Sequence, residues 1–400
     1  MRTNFDVLPQ RKQTNCVKWD YLNQRFGCKE EDDVIPLWVA DMDFPTPPEI
    51  IEALAKRVQQ GVFGYTIVSD TFGETVAGWM LKRHGALLDP AWITFSPGVV
   101  PGLIHAIQAY TEVGEGVIIQ PPVYYPFFMV VNDHQRELIM NPLLETEEGY
   151  RIDFEDLENK ASLAHVKLMI LCNPHNPVGR VFTYDELTRM GEICVRNGVK
   201  LVVDEIHADI VFKPNQHITF TNLPEEIRKH SVVLISPSKT FNIAGFQTSA
   251  VLIVDPLMRE KFMRASEINR TGSINCMGEI ALESAYNQCE YYVDELMEYL
   301  GENKRCAQEI LESRFSDLKF SPMEGTYLLW VDMRNSKIPL TDLDRFLIQE
   351  AKIAVDYGHW FGDEGLGFIR INIACPKALI IEAFSRLEIA MTNYKVKHID

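Results

Sequence analysis

A chain of 400 residues exceeds one minimal core, and its make-up, 46% hydrophobic and 24% charged, excludes collagen-like, low-complexity and disordered readings. With 39 basic against 56 acidic side chains the net charge is −17, so nucleic acid and anionic membrane are not expected partners. Apolar runs such as 250–254 are far too short to cross a bilayer. The opening residues 1–10 lack the apolar core of a signal peptide. The eight cysteines are scattered without a C-x-x-C pair, which argues against a disulfide framework or zinc ribbon, and no metal site is expected. The expectation is a cytoplasmic protein with reduced thiols. Asn269-Arg270-Thr271 matches a glycosylation sequon, read as chance in that setting.

The first 45 residues, rich in Pro, Asp and aromatics, show little periodicity and read as an arm packed on a second unit or on a partner chain. Ser96-Pro97-Gly98-Val99-Val100-Pro101-Gly102 then reads as a glycine-bearing turn opening a helix that continues through the apolar-periodic segment Leu103–Tyr110. Strands are expected at Val117–Gln120, Leu138–Asn141, Val166–Leu171, Val199–Val203, Val232–Ser236 and Ser249–Val254. Several are continuously apolar, as strands covered on both faces are. Thr183-Tyr184-Asp185-Glu186 has the form of a capping box and should start a helix. Past residue 275, Val293, Leu296, Leu300, Ala307 and Ile310 keep the spacing of one long amphipathic helix. Strands at Thr326–Met333 and Gly367–Ile373 and a helix over Ala378–Thr392 follow. Interleaved strands and helices followed by this different texture predict an α/β body with a central, mostly parallel sheet and a smaller α+β domain.

No P-loop, G-x-G-x-x-G, H-E-x-x-H or G-x-S-x-G motif is present, so nucleotide hydrolysis, dinucleotide redox, zinc peptidase and α/β-hydrolase chemistries have no anchor. What remains is a set of polar residues just after buried strands, where open α/β sheets bind ligands. Asp204 follows Leu201-Val202-Val203; a helix cap or buried ion pair would account for it alone, as would a cationic ligand nitrogen. Ser236-Pro237-Ser238-Lys239-Thr240 sets two serine hydroxyls beside a lysine, which suits a phosphate and a nucleophile but is also an ordinary polar loop. The loop Asn173-Pro174-His175-Asn176-Pro177-Val178-Gly179 presents amides at the same edge, although a simple turn uses the same residues.

The ordered set GVVPGL, PPVYYPF, NPHNPVGR, DEIHADI, SPSKTFNIAGF and FIRINIA resembles the fold-type-I pyridoxal-phosphate (PLP) enzymes of the aminotransferase superfamily. Near the N-terminus, KWD (18–20), PLWVADMDFPTPP (36–48) and FGYT (63–66) resemble the cystathionine β-lyase, or C–S lyase, branch. The resemblance implies a Schiff base between Lys239 and PLP, Asp204 on the pyridine nitrogen, and Asn176 with His207 on the phenolic oxygen. It implies Tyr124 at the ring face, and Gly98, Val99, Ser236 and Ser238 around the phosphate. Tyr65 would reach a phosphate in the neighbouring subunit of a homodimer with shared active sites, and Arg370 would clamp the substrate α-carboxylate. One departure is Gln247, at a position where many aminotransferases of this superfamily carry a phosphate-binding arginine.

The implied activity is cleavage of cystathionine, cysteine or another cysteine S-conjugate to a thiol, pyruvate and ammonia. The alternatives are an amino-acid aminotransferase built from the same parts and a PLP-binding regulator. The expected division is an arm over 1–48 joining the small domain, a PLP-binding domain over 49–285 and a C-terminal domain over 286–400.

Overall fold

Seven strands form the central sheet of the computed structural model, which describes residues 2–398. They are β1 (Ile93–Ser96), β2 (Gly116–Ile119), β3 (Glu137–Met140), β4 (Val166–Cys172), β5 (Lys200–Asp204), β6 (Ser231–Ile235) and β7 (Ser249–Leu252). Their spatial order is β1-β7-β6-β5-β4-β2-β3, and all pairings are parallel except those of β7, which runs antiparallel to both neighbours. The continuous apolar runs have a direct structural cause. Leu201 and Val203 of β5 face one apolar layer and Val202 the other, and Met169 and Leu171 of β4 alternate in the same way with Leu168 and Ile170. All of these side chains are buried, and each contributes roughly 1.5–3 kcal/mol by leaving water.

The capping box forms as predicted: Thr183 Oγ1 accepts from Glu186 N at 3.2 Å, Glu186 Oε2 accepts from Thr183 N at 2.8 Å, and the helix Tyr184–Asn197 follows. The helix expected from Leu103 starts four residues earlier, at Val99. Pro101 is tolerated there because the first-turn N–H groups have no intrahelical acceptor anyway. Strand β1 was not anticipated; its four residues, ITFS, are too short to show a period.

The C-terminal part carries a smaller four-stranded antiparallel sheet made by Lys319–Phe320, Leu328–Asp332, Phe368–Asn372 and Asp356–Tyr357 in that order. The long helix Glu290–Arg314 precedes it, and the helix Lys377–His398 packs on that helix and on Ile353–Ala354. In the arm, Ile35–Pro36 pairs in parallel with Ile353–Ala354 of the C-terminal part. Among the described residues no helix is long and apolar enough to cross a membrane.

Candidate active site

The carboxyl ends of β4, β5 and β6 deliver the polar loops to one place, a cavity of about 510 Å³. Gly98, Val99, Tyr124, Asn176, Asp204, His207, Ser238 and Lys239 all line it. Asp204 stands opposite Cys172 in the β4–β5 register, so the sheet itself fixes the height of its carboxylate. That carboxylate is 3% exposed, and it accepts one hydrogen bond, from Ile206 N at 3.0 Å. Burial pushes its pKa up to about 7 against the pull of that N–H and of Lys239. A buried anion so poorly satisfied is complementary to a cationic ligand nitrogen.

Lys239 points its amine at the N-terminal arm, where the Ala40 carbonyl accepts from Nζ at 2.6 Å. Burial pushes this amine down to about 8, with Arg370 adding to the effect and Asp41 and Asp204 opposing it. A lysine in that range releases and takes up a proton near neutral pH. At the other end of the cavity, the helix Val99–Tyr110 begins at Gly98, whose φ of 115° suits glycine, and no side chain caps it. Its free N–H groups and dipole, together with the Ser238 hydroxyl, form an anion cradle. Ser236 lies one step behind: it is buried, its Oγ is 2.7 Å from the Thr248 carbonyl and 2.8 Å from Ser238 Oγ, and it holds Ser238 in place.

Between these ends, Tyr124 N donates to the Asn176 carbonyl at 3.1 Å, which ties the aromatic wall to the amide loop. Burial drives the pKa of His207 well below its ordinary value, and its Nδ1 has no protein partner. Asn176 Oδ1 accepts from Arg370 Nη1 at 2.9 Å, and among the described residues its amide nitrogen has no acceptor. Arg370, from the small sheet, is not among the residues lining the cavity and is joined to them through Asn176. Tyr65 is fully exposed, away from this chain's own cavity, in a loop with exposed Val62, Phe63 and Ile67.

Several site features escaped sequence reasoning. Ala40 contributes a backbone carbonyl, which no residue type announces. Thr271 and Ser249 line the cavity, and Thr271 Oγ1 meets His105 Nε2 at 2.8 Å. Asp356 is paired with Arg370. Gln247, singled out as a departure, does line the cavity, in a left-handed turn with φ of 50°. Trp38 and Trp360 lie in the aromatic cluster around Phe26 rather than on the cavity wall.

The N-terminal motifs build a strap over Lys239. Lys18 Nζ meets Asp43 Oδ2 at 2.6 Å, Arg11 grips Asp43 Oδ1 at 2.6 Å and Asp41 Oδ2 at 2.6 Å, and Trp19 Nε1 donates to Asp43 Oδ1 at 2.9 Å. Asn242, three residues past the lysine, donates to the Met42 and Phe44 carbonyls, both at 2.8 Å. Ala40 is therefore held from both sides.

Comparison with known proteins matches this architecture. The model of the family described as aminotransferase class I and II covers residues 32–387. Cystathionine beta-lyase PatB of Bacillus subtilis is 41% identical, over 97% of this chain and all of its own length. Protein MalY of Escherichia coli is 34% identical over 94% of this chain and 95% of its own. Among solved structures, cystalysin of Treponema denticola, which contains a pyridoxal 5'-phosphate cofactor, superposes with a TM-score of 0.95 at 37% identity, covering 99% of this chain and 100% of that one.

Proposed function

The chain belongs to the aminotransferase class I and II family, on its carbon–sulfur lyase branch, and from that premise we propose how its own residues carry the reaction. It is a PLP-dependent carbon–sulfur β-lyase, which cleaves cystathionine or another cysteine S-conjugate to a thiol, pyruvate and ammonia. The observation that carries the site assignment is Asp204, a buried carboxylate with one N–H donor, facing a cavity shared with Lys239.

The residues lining the cavity suit PLP in their chemistry. Asp204 would hold the protonated ring nitrogen, the free Asn176 amide and His207 would meet the phenolic oxygen, and Tyr124 would cover the ring face. Gly98, Val99 and Ser238 would take the phosphate, with Ser236 supporting Ser238. When bound, PLP supplies the electron sink that makes a Cα proton removable. Lys239 would anchor the cofactor, and its amine would be the base that takes that proton. Ala40 keeps its amine on a fixed bearing, and desolvation keeps its pKa low enough to accept. Arg370 holds the α-carboxylate, which sets the Cα proton toward Lys239 and leaves the Cβ–sulfur bond free to break.

The same reading makes the active form a homodimer, supported by the exposed apolar loop around Tyr65, which would reach the partner's phosphate. It divides the chain into an arm over 1–48, a PLP-binding domain over 49–285 and a C-terminal domain over 286–400. It also places the protein in the reducing cytoplasm, consistent with its eight free cysteines.

The test is purified holoenzyme with cystathionine and no keto acid, assayed for pyruvate and thiol together. Equal release of both over many turnovers is expected, and Lys239→Ala should lower it by at least about 10³-fold while keeping the fold. Release of neither, with the cofactor converted once to its amine form, would replace the lyase with an aminotransferase.

A further inference from the structure

The carboxylate clamp already has an anion on it. Arg370 is 2% exposed, and Asp356, 3% exposed, is bound to its Nη2. The two residues stand directly opposite each other in antiparallel register, so the backbone of the small sheet fixes the pair. The Trp38 carbonyl accepts from the same Nη2 at 2.9 Å, and Asn176 Oδ1 takes one Nη1 hydrogen at 2.9 Å. A guanidinium has five N–H groups. The Nε–H is buried with no acceptor, and one Nη1 hydrogen is likewise unused. These are the donors an arriving carboxylate can take, while the face of the group rests on the Phe361 ring at 5.0 Å.

Among the described residues, the Asp356 carboxylate has no hydrogen-bond donor other than Arg370. Burial pushes its pKa up to about 6, with Arg370 and then Arg25 pulling the other way. Arg25 faces the pair from the arm, stacked over Trp360 at 3.7 Å and, among the described residues, without a carboxylate partner. A clamp made for maximal affinity would leave out a second buried carboxylate, because that charge repels the one to be bound.

On the reading that Arg370 receives the substrate α-carboxylate, we propose that Asp356 is a positioning residue that sets the strength of the clamp. From the neighbouring strand it fixes the guanidinium plane and offsets its charge. Arg370 then grips a carboxylate by directed hydrogen bonds rather than by net charge, and lets the carboxylate-bearing product leave.

The test titrates the holoenzyme and its Asp356→Asn variant with acetate, a carboxylate and nothing more, by calorimetry without turnover. KM and kcat are measured on the same preparations. Asparagine keeps the shape and an acceptor oxygen for Nη2. Acetate binding should tighten about tenfold, as expected when a like charge is removed beside an anion site. KM should fall with it, and kcat should fall because product leaves slowly. Acetate affinity unchanged or weakened, with KM raised, would make Asp356 a structural counter-ion only and overturn the proposal. Asp356→Leu, of similar volume and without charge, should tighten acetate in the same direction and decides the matter if the asparagine form does not fold. Acetate binding does not depend on which bond the enzyme breaks. A wild type that transaminates instead of eliminating would sink the lyase reading and leave this measurement valid.

Discussion

Asp43 and Asp204 are both buried aspartates, one in the strap and one at the sheet edge, and the protein treats them in opposite ways. Asp43 is fully enclosed and fully satisfied: Lys18 and Arg11 each reach it at 2.6 Å and Trp19 completes the set. Asp204 is almost as buried but has one backbone N–H, and its pKa is pushed up to about 7. A carboxylate enclosed by cations is part of the scaffold. One left short of partners beside a cavity is held ready for a ligand. Burial alone does not separate the two cases; the inventory of partners does.

The largest effect is expected at Asp43. Asp43→Ala would take from the buried Lys18 its close carboxylate partner, while Arg11 keeps Asp41 and the Met42 carbonyl, and removing one partner of a buried pair costs about 3–5 kcal/mol. Denaturant unfolding should show that loss with or without cofactor. Because the strap carries Ala40, the surviving folded fraction should also hold Lys239 less well and turn over more slowly. A variant as stable as wild type would mean that the network is ornamental and that the contrast with Asp204 is false.

The opposite sign is expected at Asp204, and only in the cofactor-free protein. Its folded pKa, about 7, lies above the ordinary carboxylate value of 3.8, so the group favours the folded state when protonated. That contribution is complete below about pH 4 and is lost as pH rises through about 7. At pH 8 the cofactor-free Asp204→Asn variant should therefore be more stable than cofactor-free wild type by about 2–4 kcal/mol, and the gap should close toward pH 4. With PLP bound the order should reverse, since wild type then gains a counter-charge for its ring nitrogen. Urea titrations at pH 5 and 8, with and without cofactor, give all four values. An apo variant less stable than wild type at pH 8 would show that Asp204 is a structural residue like Asp43.

The contrast also explains which parts of the molecule could be read in the sequence. The run Leu201-Val202-Val203 announces a strand covered on both faces, and Asp204 follows it at the edge where open α/β sheets bind ligands, so the proposed cofactor end is visible in one dimension. The substrate end is not. Asp356 meets Arg370 only because two strands of the small sheet pair in one register, and Ala40 acts through a carbonyl that every residue possesses. The KWD and VADMDF segments were recognisable as motifs, but nothing in their spacing says that Lys18 and Asp43 meet in the interior. Residues fixed by their own strand were legible. Residues fixed by another segment's position required the fold.

The smallest effect separates the two serines, of which the family resemblance put Ser236 ahead of Ser238 at the phosphate, whereas the cavity lining includes Ser238 and not Ser236. Ser238 lines the cavity, whereas the Ser236 hydroxyl is turned to the Thr248 carbonyl and to Ser238 itself. A hydroxyl bonded directly to a phosphate contributes about 1.5–3 kcal/mol, so Ser238→Ala should weaken PLP binding by roughly tenfold or more. Ser236→Ala removes a buried neutral hydrogen bond, worth about 1 kcal/mol, from the loop that carries Ser238. It should lower stability by that amount and weaken PLP by only about threefold. Dissociation constants from cofactor fluorescence and unfolding midpoints for both variants settle the order. If Ser236→Ala proved the worse binder at unchanged stability, the phosphate would lie deeper than the cavity wall suggests, against Ser236 rather than Ser238.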